Sequence, residues 1–386
     1  MKESAKRDLS INYLRTTLTL MVLGHHSSLA YTTFAHFDKQ HMFRSTAPVV
    51  DSTRWLFFDY AENFNDVFFM SLMFFASGLF VYPALRRHGT FGFMRDRLLR
   101  LGLPFAFAVV FLMPIAYYAS WQLTGRSTGF VDFYERLAQD GFAAGPPWFV
   151  WLLLFFDLIL ALVLIPLQRW MPLAERAIAA LREHAIAAFV SVLCLAALVY
   201  LPLLSRYGFG AWTDFLTSPF SFQISRIGLY ALWFVFGFLV GAPGIAKGLL
   251  SRDGSLARHW RIWIWGCILA YNALVFIPRW PLIPSSTKGP LEAVLWVISC
   301  VASCFGFLAL FRGIELTSRP WMNSLTRSAY VMYLVHYVYV TWTQRLMLDL
   351  SIHASIKFLF VFLTTVLLSW LTAQIVLRIP KLNTIL

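Results

Sequence analysis

Along the chain, apolar runs close to 20 residues long alternate with short stretches that carry most of the charge. A helix of about 20 apolar residues crosses the roughly 30 Å hydrocarbon layer, so each run is a candidate span. About ten such runs are expected from this pattern, near residues 10–33, 64–85, 99–119, 147–167, 185–204, 224–242, 260–278, 291–311, 328–348 and 357–377. The pattern predicts an all-α, polytopic membrane helix bundle. No polar stretch is long enough for an appended soluble domain, so residues 1–386 are expected to form a single transmembrane domain.

Composition agrees with the pattern. The 386 residues are 59% hydrophobic and only 13% charged, and their mean hydropathy is +0.65, which is too apolar for an ordinary soluble protein. The net charge of +13 raises nucleic acid as a partner, but the basic residues form no groove-sized patch or known binding motif. The lipid bilayer is the expected partner, and no nucleic acid is.

Topology accounts for the charge better. With the N-terminus inside, the even-numbered connections and both tails carry about 20 Lys and Arg against about 11 opposite, as the positive-inside rule requires. Both termini are therefore expected in the cytoplasm, with the chain multi-pass in the cell inner membrane. The first run is too long for a cleaved secretory signal and lacks a small-residue cleavage site. All four cysteines, Cys194, Cys267, Cys300 and Cys304, fall in apolar runs, where Cys packs as a small hydrophobe. No metal site or disulfide framework is expected.

Ionisable residues inside spans are costly and need a reason. Arg15 and His26 lie in the first run, eleven residues apart, which is about 20° beyond three helical turns. They share one face with their Cα atoms roughly 16 Å apart along the axis, whereas His25 points about 80° away. The approach to the second span, Glu62-Asn63-Phe64-Asn65-Asp66, brings two carboxylates to a depth similar to that of His26. Glu62 or Asp66 could orient that imidazole; an interfacial role towards water and headgroups is the alternative for each.

In the ninth span Tyr330, Tyr333, His336 and Tyr337 share a broad face ill-suited to lipid. It is expected to turn inward, with His336 in a shared polar cavity or as a hydrogen-bonded packing residue. Asp157 and Arg226 each need a partner that the sequence does not name. The connection from Arg86 to Arg100, which includes Arg95, is strongly basic and reads either as a topology determinant or as a docking site for a cytosolic polyanion. Arg97 and Arg100 are spaced to share a helix face and to grip phosphate, which would suit a diphosphate-bearing acyl donor. Phe74-Phe75-Ala76-Ser77-Gly78 offers close helix packing or room for a ligand, and Pro147-Trp148 marks a helix start.

Taken in order, Leu14-Arg15 followed by His26, Phe74-Phe75-x-Ser77-Gly78, Phe93-x-x-x-Arg97-x-x-Arg100 with Pro104, Pro147-Trp148-Phe149 and Tyr333-Leu334-Val335-His336 resemble the acyltransferase-3 family of membrane O-acyltransferases. The tail Leu377-Arg378-Ile379-Pro380-Lys381-Leu382 is similar to that of the glucan biosynthesis protein C subgroup, a succinyltransferase type. The resemblance implies transfer of an acetyl, succinyl or similar short acyl group from cytoplasmic acyl-CoA to a hydroxyl of a carbohydrate or lipid-linked glycan. Acyl-CoA would be a substrate, with no cofactor held permanently. Family roles carry over to Arg15, His26, Arg97, Arg100 and His336. Two departures, Val67 to Met73 after Asp66 and Tyr337-Val338-Tyr339 after His336 where the family often has Pro, point to a different acceptor pocket.

On this reading His26 is the general base that takes the acceptor's proton, with Glu62 and Asp66 as supporting carboxylates. Arg97, Arg100 and Arg95 form the donor-phosphate group, and Arg15 binds the donor or a neighbouring carboxylate. A covalent acyl-histidine variant stays open. The rival class is a transporter or flippase with Arg15, His26, Asp66 and Asp157 along its path, although no inverted repeat or paired broken helices are evident. A membrane sensor or scaffold is a third.

Overall fold

The computed structural model describes residues 8–126 and 129–386. Its long helices are α1 (Leu9–Ser28), α2 (Leu56–Gly78), α3 (Val81–Leu123), α4 (Phe130–Asp140), α5 (Trp148–Leu167), α6 (Met171–Ala180), α7 (Ala185–Tyr207), α8 (Ile227–Gly241), α9 (Trp260–Phe276), α10 (Ser285–Gly313), α11 (Pro320–Met347) and α12 (Ala354–Val376). A short antiparallel hairpin, Trp212–Asp214 with Ser221–Gln223, is a small departure from an all-α chain. Trp151 of α5 pins it by donating from Nε1 to the Ser221 carbonyl at 2.9 Å.

Among the described residues, seven helical segments are long and apolar enough to cross a membrane. The helices α1, α2 and α11 match them in length but fall outside this set. The physical reason is their load of polar side chains: Arg15, His25 and His26 on α1, Glu62 and Asp66 on α2, and His336 and Gln344 on α11. His25 meets Glu62, His26 meets His336, and Gln344 binds the His26 carbonyl, so these three helices join through polar groups within the bundle.

Two expected boundaries move. The segment Leu56 to Asn63 is helical, so α2 begins eight residues ahead of the apolar run, and Glu62 and Asp66 sit within the helix. The basic stretch Arg86 to Arg100 belongs to α3, which kinks at Gly89 (φ 67°) and winds through π-helical turns at Leu98–Gly102 and Ala108–Leu112. Helical propensity of Arg and Leu overrides the loop that charge density predicted.

Packing is closest between α2 and α8. A Cβ on Gly78 would lie 2.2 Å from the Phe234 carbonyl oxygen, and one on Gly237 only 2.1 Å from that of Phe75. The two backbones touch, which is the use membrane helices make of small residues. Polar contacts join α11 to α1 along their length. Near the chain ends Tyr13 donates to Asn323 at 2.8 Å and Thr16 pairs with Thr326 at 2.8 Å; at the far end Gln344 donates to the carbonyls of His26 and Ser27 at 2.9 and 3.3 Å.

Candidate active site

Near the end of the bundle that holds Asp8 and Leu386, a cavity of about 1350 Å³ opens between α1, α2, α3, α5 and α11. Arg15, Arg97, Arg100, Arg327 and Arg378 line it, against the carboxylates of Asp8 and Asp157. Both acids are engaged: Asp8 with Arg312 at 2.5 Å, and Asp157 with Arg97 Nε at 3.2 Å. Arg97 also lies over the Phe93 ring at 4.8 Å, and Arg15 lies 5.5 Å from the Phe80 centroid. Cations are therefore in excess, a field that draws in anions.

The inner end of this cavity is made by Phe149 and Tyr333, whose ring centroids are 6.1 Å apart. Tyr333 donates from its hydroxyl to the Pro146 carbonyl, which ties α11 to the turn that starts α5. That turn depends on Gly145, which has φ 55° and would place a Cβ 2.5 Å from Met113 Sδ.

Just past Tyr333 the imidazoles begin. His336, fully buried, has Nδ1 2.6 Å from the Tyr333 carbonyl oxygen. That contact assigns the proton to Nδ1 and leaves Nε2 with its lone pair free, and Nε2 is buried with no partner among the described residues. The His336 ring lies 5.8 Å from Tyr333 and 5.3 Å from His26 between centroids. His26 in turn meets Tyr337 edge-on at 5.1 Å and His25 edge-on at 5.3 Å. Its own Nδ1 has no hydrogen-bond partner among the described residues.

The carboxylates near His26 are distributed differently from the sequence expectation. Glu62 does not pair with His26: it faces His25, at 2.5 Å between Oε2 and Nδ1, and accepts from the Ser28 hydroxyl. The helical offset that takes His25 off the Arg15 face turns it towards α2, where Glu62 projects. Asp66 is held by Arg226 in a fork of 2.8 and 2.5 Å, with a third bond of 3.1 Å to its carbonyl. Asp66 therefore bridges α2 to the start of α8 and makes no contact with His26.

Arg97 and Arg100 both reach the cavity, but Arg95 does not line it. Two residues rotate a helix by about 200°, so Arg95 is turned away from Arg97 and into solvent. Sequence reasoning missed Arg327, Arg378 and His25 as members of the site, whereas Tyr333 stands on the face it turned inward. Arg378 stands within the tail motif, and Arg327 one residue before the ninth apolar run.

Among the described residues no group of three or more His, Cys, Asp or Glu is arranged to hold a metal ion. All four cysteines are free. Cys300 and Cys304 pack against Ser71 and Phe68 of α2.

An anion-attracting cavity that ends below paired imidazoles needs a chemical context, and comparison with known proteins supplies one. The acyltransferase-3 family, described as an acyltransferase domain, matches residues 8–374. The chain belongs to that family. Neither the curated proteins nor the solved structures yield a match to it. Family membership supports a membrane acyltransferase activity, and the match takes in α1 to α12 almost entirely, with the imidazole cluster and all of the arginine cavity's lining arginines except Arg378 inside it.

Proposed function

We propose that the protein is an acyl-CoA-dependent O-acyltransferase that takes a short acyl group, acetyl or succinyl in size, from donor held in the arginine cavity. The acceptor is a hydroxyl of a carbohydrate or a lipid-linked glycan. The observation that carries this reading is the run from the cavity through Tyr333 and His336 to His26, in which each ring centroid lies within 6 Å of the next. A phosphate-rich donor fits the arginine end, because guanidinium groups bind phosphate oxygens in directed pairs.

In this reading α1, α2 and α11 join the seven apolar segments as spans, which makes ten, with both termini and the arginine cavity on the cytoplasmic side of the inner membrane. His26 is the general base. Its free ring nitrogen accepts the proton of the acceptor hydroxyl as that oxygen attacks the thioester carbonyl, and CoA leaves as the thiol once the proton is returned to its sulfur. His336, its Nδ1–H engaged by the Tyr333 carbonyl, keeps Nε2 as an acceptor that can orient the attacking hydroxyl beside His26. Arg15 lines the cavity, which His26 does not, and holds the donor. Glu62 acts one residue removed, by orienting His25 beside His26.

The test is transfer of radiolabelled acyl groups from acetyl-CoA and succinyl-CoA to candidate glycans by the purified protein in lipid nanodiscs. Label on the glycan supports the reading. Absence of label from both donors, together with CoA-independent movement of glycan across proteoliposomes, would replace it with transport. Mass spectrometry of surface and periplasmic glycans from a deletion strain would then name the acceptor by the acyl mass it loses.

A further inference from the structure

A second cavity, of about 350 Å³, lies between α2, α7, α9 and α10. It is set towards the other end of the bundle. Asn63, Asp66 and Val67, its α2 residues, precede the stretch Met73, Ala76 and Ser77 near the helix end through which α2 reaches the arginine cavity.

The walls are rigid and aromatic. Tyr200 and Trp296 stack with centroids 4.5 Å apart and planes 23° from parallel. Trp296 and Phe209 hold the Arg226 guanidinium between them, at 5.0 and 4.7 Å. Arg226 grips Asp66, whose side chain remains 36% exposed and lines the cavity. The two charges cancel in place and leave carboxylate oxygen facing the open space. At the rim Glu292 and Arg279 are exposed and of opposite sign.

Two polar groups here are unaccounted for. Tyr200 Oη and Trp296 Nε1 are buried, belong to residues that line the cavity, and have no partner among the described residues. A buried donor without an acceptor costs about 1–3 kcal/mol, and native proteins seldom keep two side by side.

The ligand these features fit offers acceptor oxygens to Tyr200 and Trp296, hydroxyl donors to Asp66 and Asn63, and an apolar C–H face to aromatic rings. It carries no net charge, because Arg226, the buried cation beside the cavity, is already neutralised by Asp66 and Arg279 donates to the Val275 carbonyl. Ligand cavities begin at roughly 300 Å³, so the space suits one ring of such a molecule. We propose that this cavity binds a saccharide unit. The inference goes beyond the acyl-transfer reading and does not depend on it, although Asp66 lies one helical turn from Glu62 and places both sites on α2.

Saturation-transfer-difference NMR on the full chain in nanodiscs tests this, with methyl β-glucopyranoside, cellobiose and lactose as probes and phosphocholine as a headgroup control. Saturation is expected on ring C–H protons of at least one sugar. Tyr200→Phe and Asn63→Ala are each expected to weaken that sugar's Kd about tenfold, the size of one lost hydrogen bond. Tyr200→Phe removes an oxygen with no protein partner, so the unliganded protein keeps its melting temperature and the loss cannot be ascribed to unfolding. No transfer to any sugar, unchanged Kd in both variants, or phosphocholine as the only variant-sensitive ligand overturns the proposal.

Discussion

The rings of His26 and His336 lie 5.3 Å apart between centroids although 310 positions separate them, and α11 reaches His26 a second time through Gln344, which binds its carbonyl. The pair is thus fixed from two points on one helix. His26→Ala is expected to lower acyl transfer by about 10²–10⁴-fold, the range for loss of a general base, while the protein still inserts and elutes as a folded species. His336→Ala is expected to lower kcat more than it raises the acceptor KM. Near-normal turnover in His26→Ala would remove His26 from the mechanism.

Glu62 is buried, and its two oxygens are committed to His25 and Ser28. Glu62→Gln keeps the shape but loses the charge that faces His25. Since a hydrogen bond to a charged group contributes about 1.5–3 kcal/mol, the variant is expected to melt lower and to transfer acyl groups more slowly. His25→Ala should reproduce most of that loss, and the double variant should be less than additive because the two residues form one unit. Additive effects measured in that cycle would mean His25 and Glu62 act separately.

The three arginines expected to bind the donor divide by geometry. Arg97 and Arg100 line the cavity and Arg95 does not. Arg97→Ala with Arg100→Ala is expected to raise the KM for acyl-CoA about tenfold or more, as befits contacts remote from the reacting carbon. Arg95→Ala is expected to leave it unchanged. Equal effects from all three would point to general electrostatics in place of a defined phosphate site.

Much of this site is legible in the first apolar run, because ionisable residues stand out against a hydrophobic background and helical spacing orients them. Arg15, Arg97 and Arg100 can be assigned to one end of the bundle on spacing and topology alone. The pairings cannot. Arg226 reaches Asp66 across 160 positions, and nothing in local periodicity says which buried cation meets which carboxylate. His25 lies off the Arg15 face and so looks like a bystander in the sequence, yet that offset is what aims it at Glu62. Arg95 separates from Arg97 by spacing alone, since two residues of helix turn a side chain nearly to the opposite face. The start of α2 is hidden for a different reason: its first turns are too polar to register as membrane helix, and their polar groups are satisfied only once α1, α8 and α9 surround them.

The contact between α8 and α2, the helix that lines both cavities, rests on glycine. At Gly237 a Cβ would meet the Phe75 carbonyl oxygen at 2.1 Å, backbone that has no rotamer to yield. Gly237→Ala must therefore push the helices apart, at a cost of about 1–3 kcal/mol or more from overpacking. Gly266 on α9 provides the control, because nothing lies within 4 Å of the place where an alanine methyl group would stand, and Ala is the better helix former. Thermal unfolding followed by size-exclusion chromatography in detergent should show Gly237→Ala well below the parent and Gly266→Ala level with it or above. If Gly237→Ala melts with the parent, the close approach of α2 and α8 is not what holds this part of the bundle together.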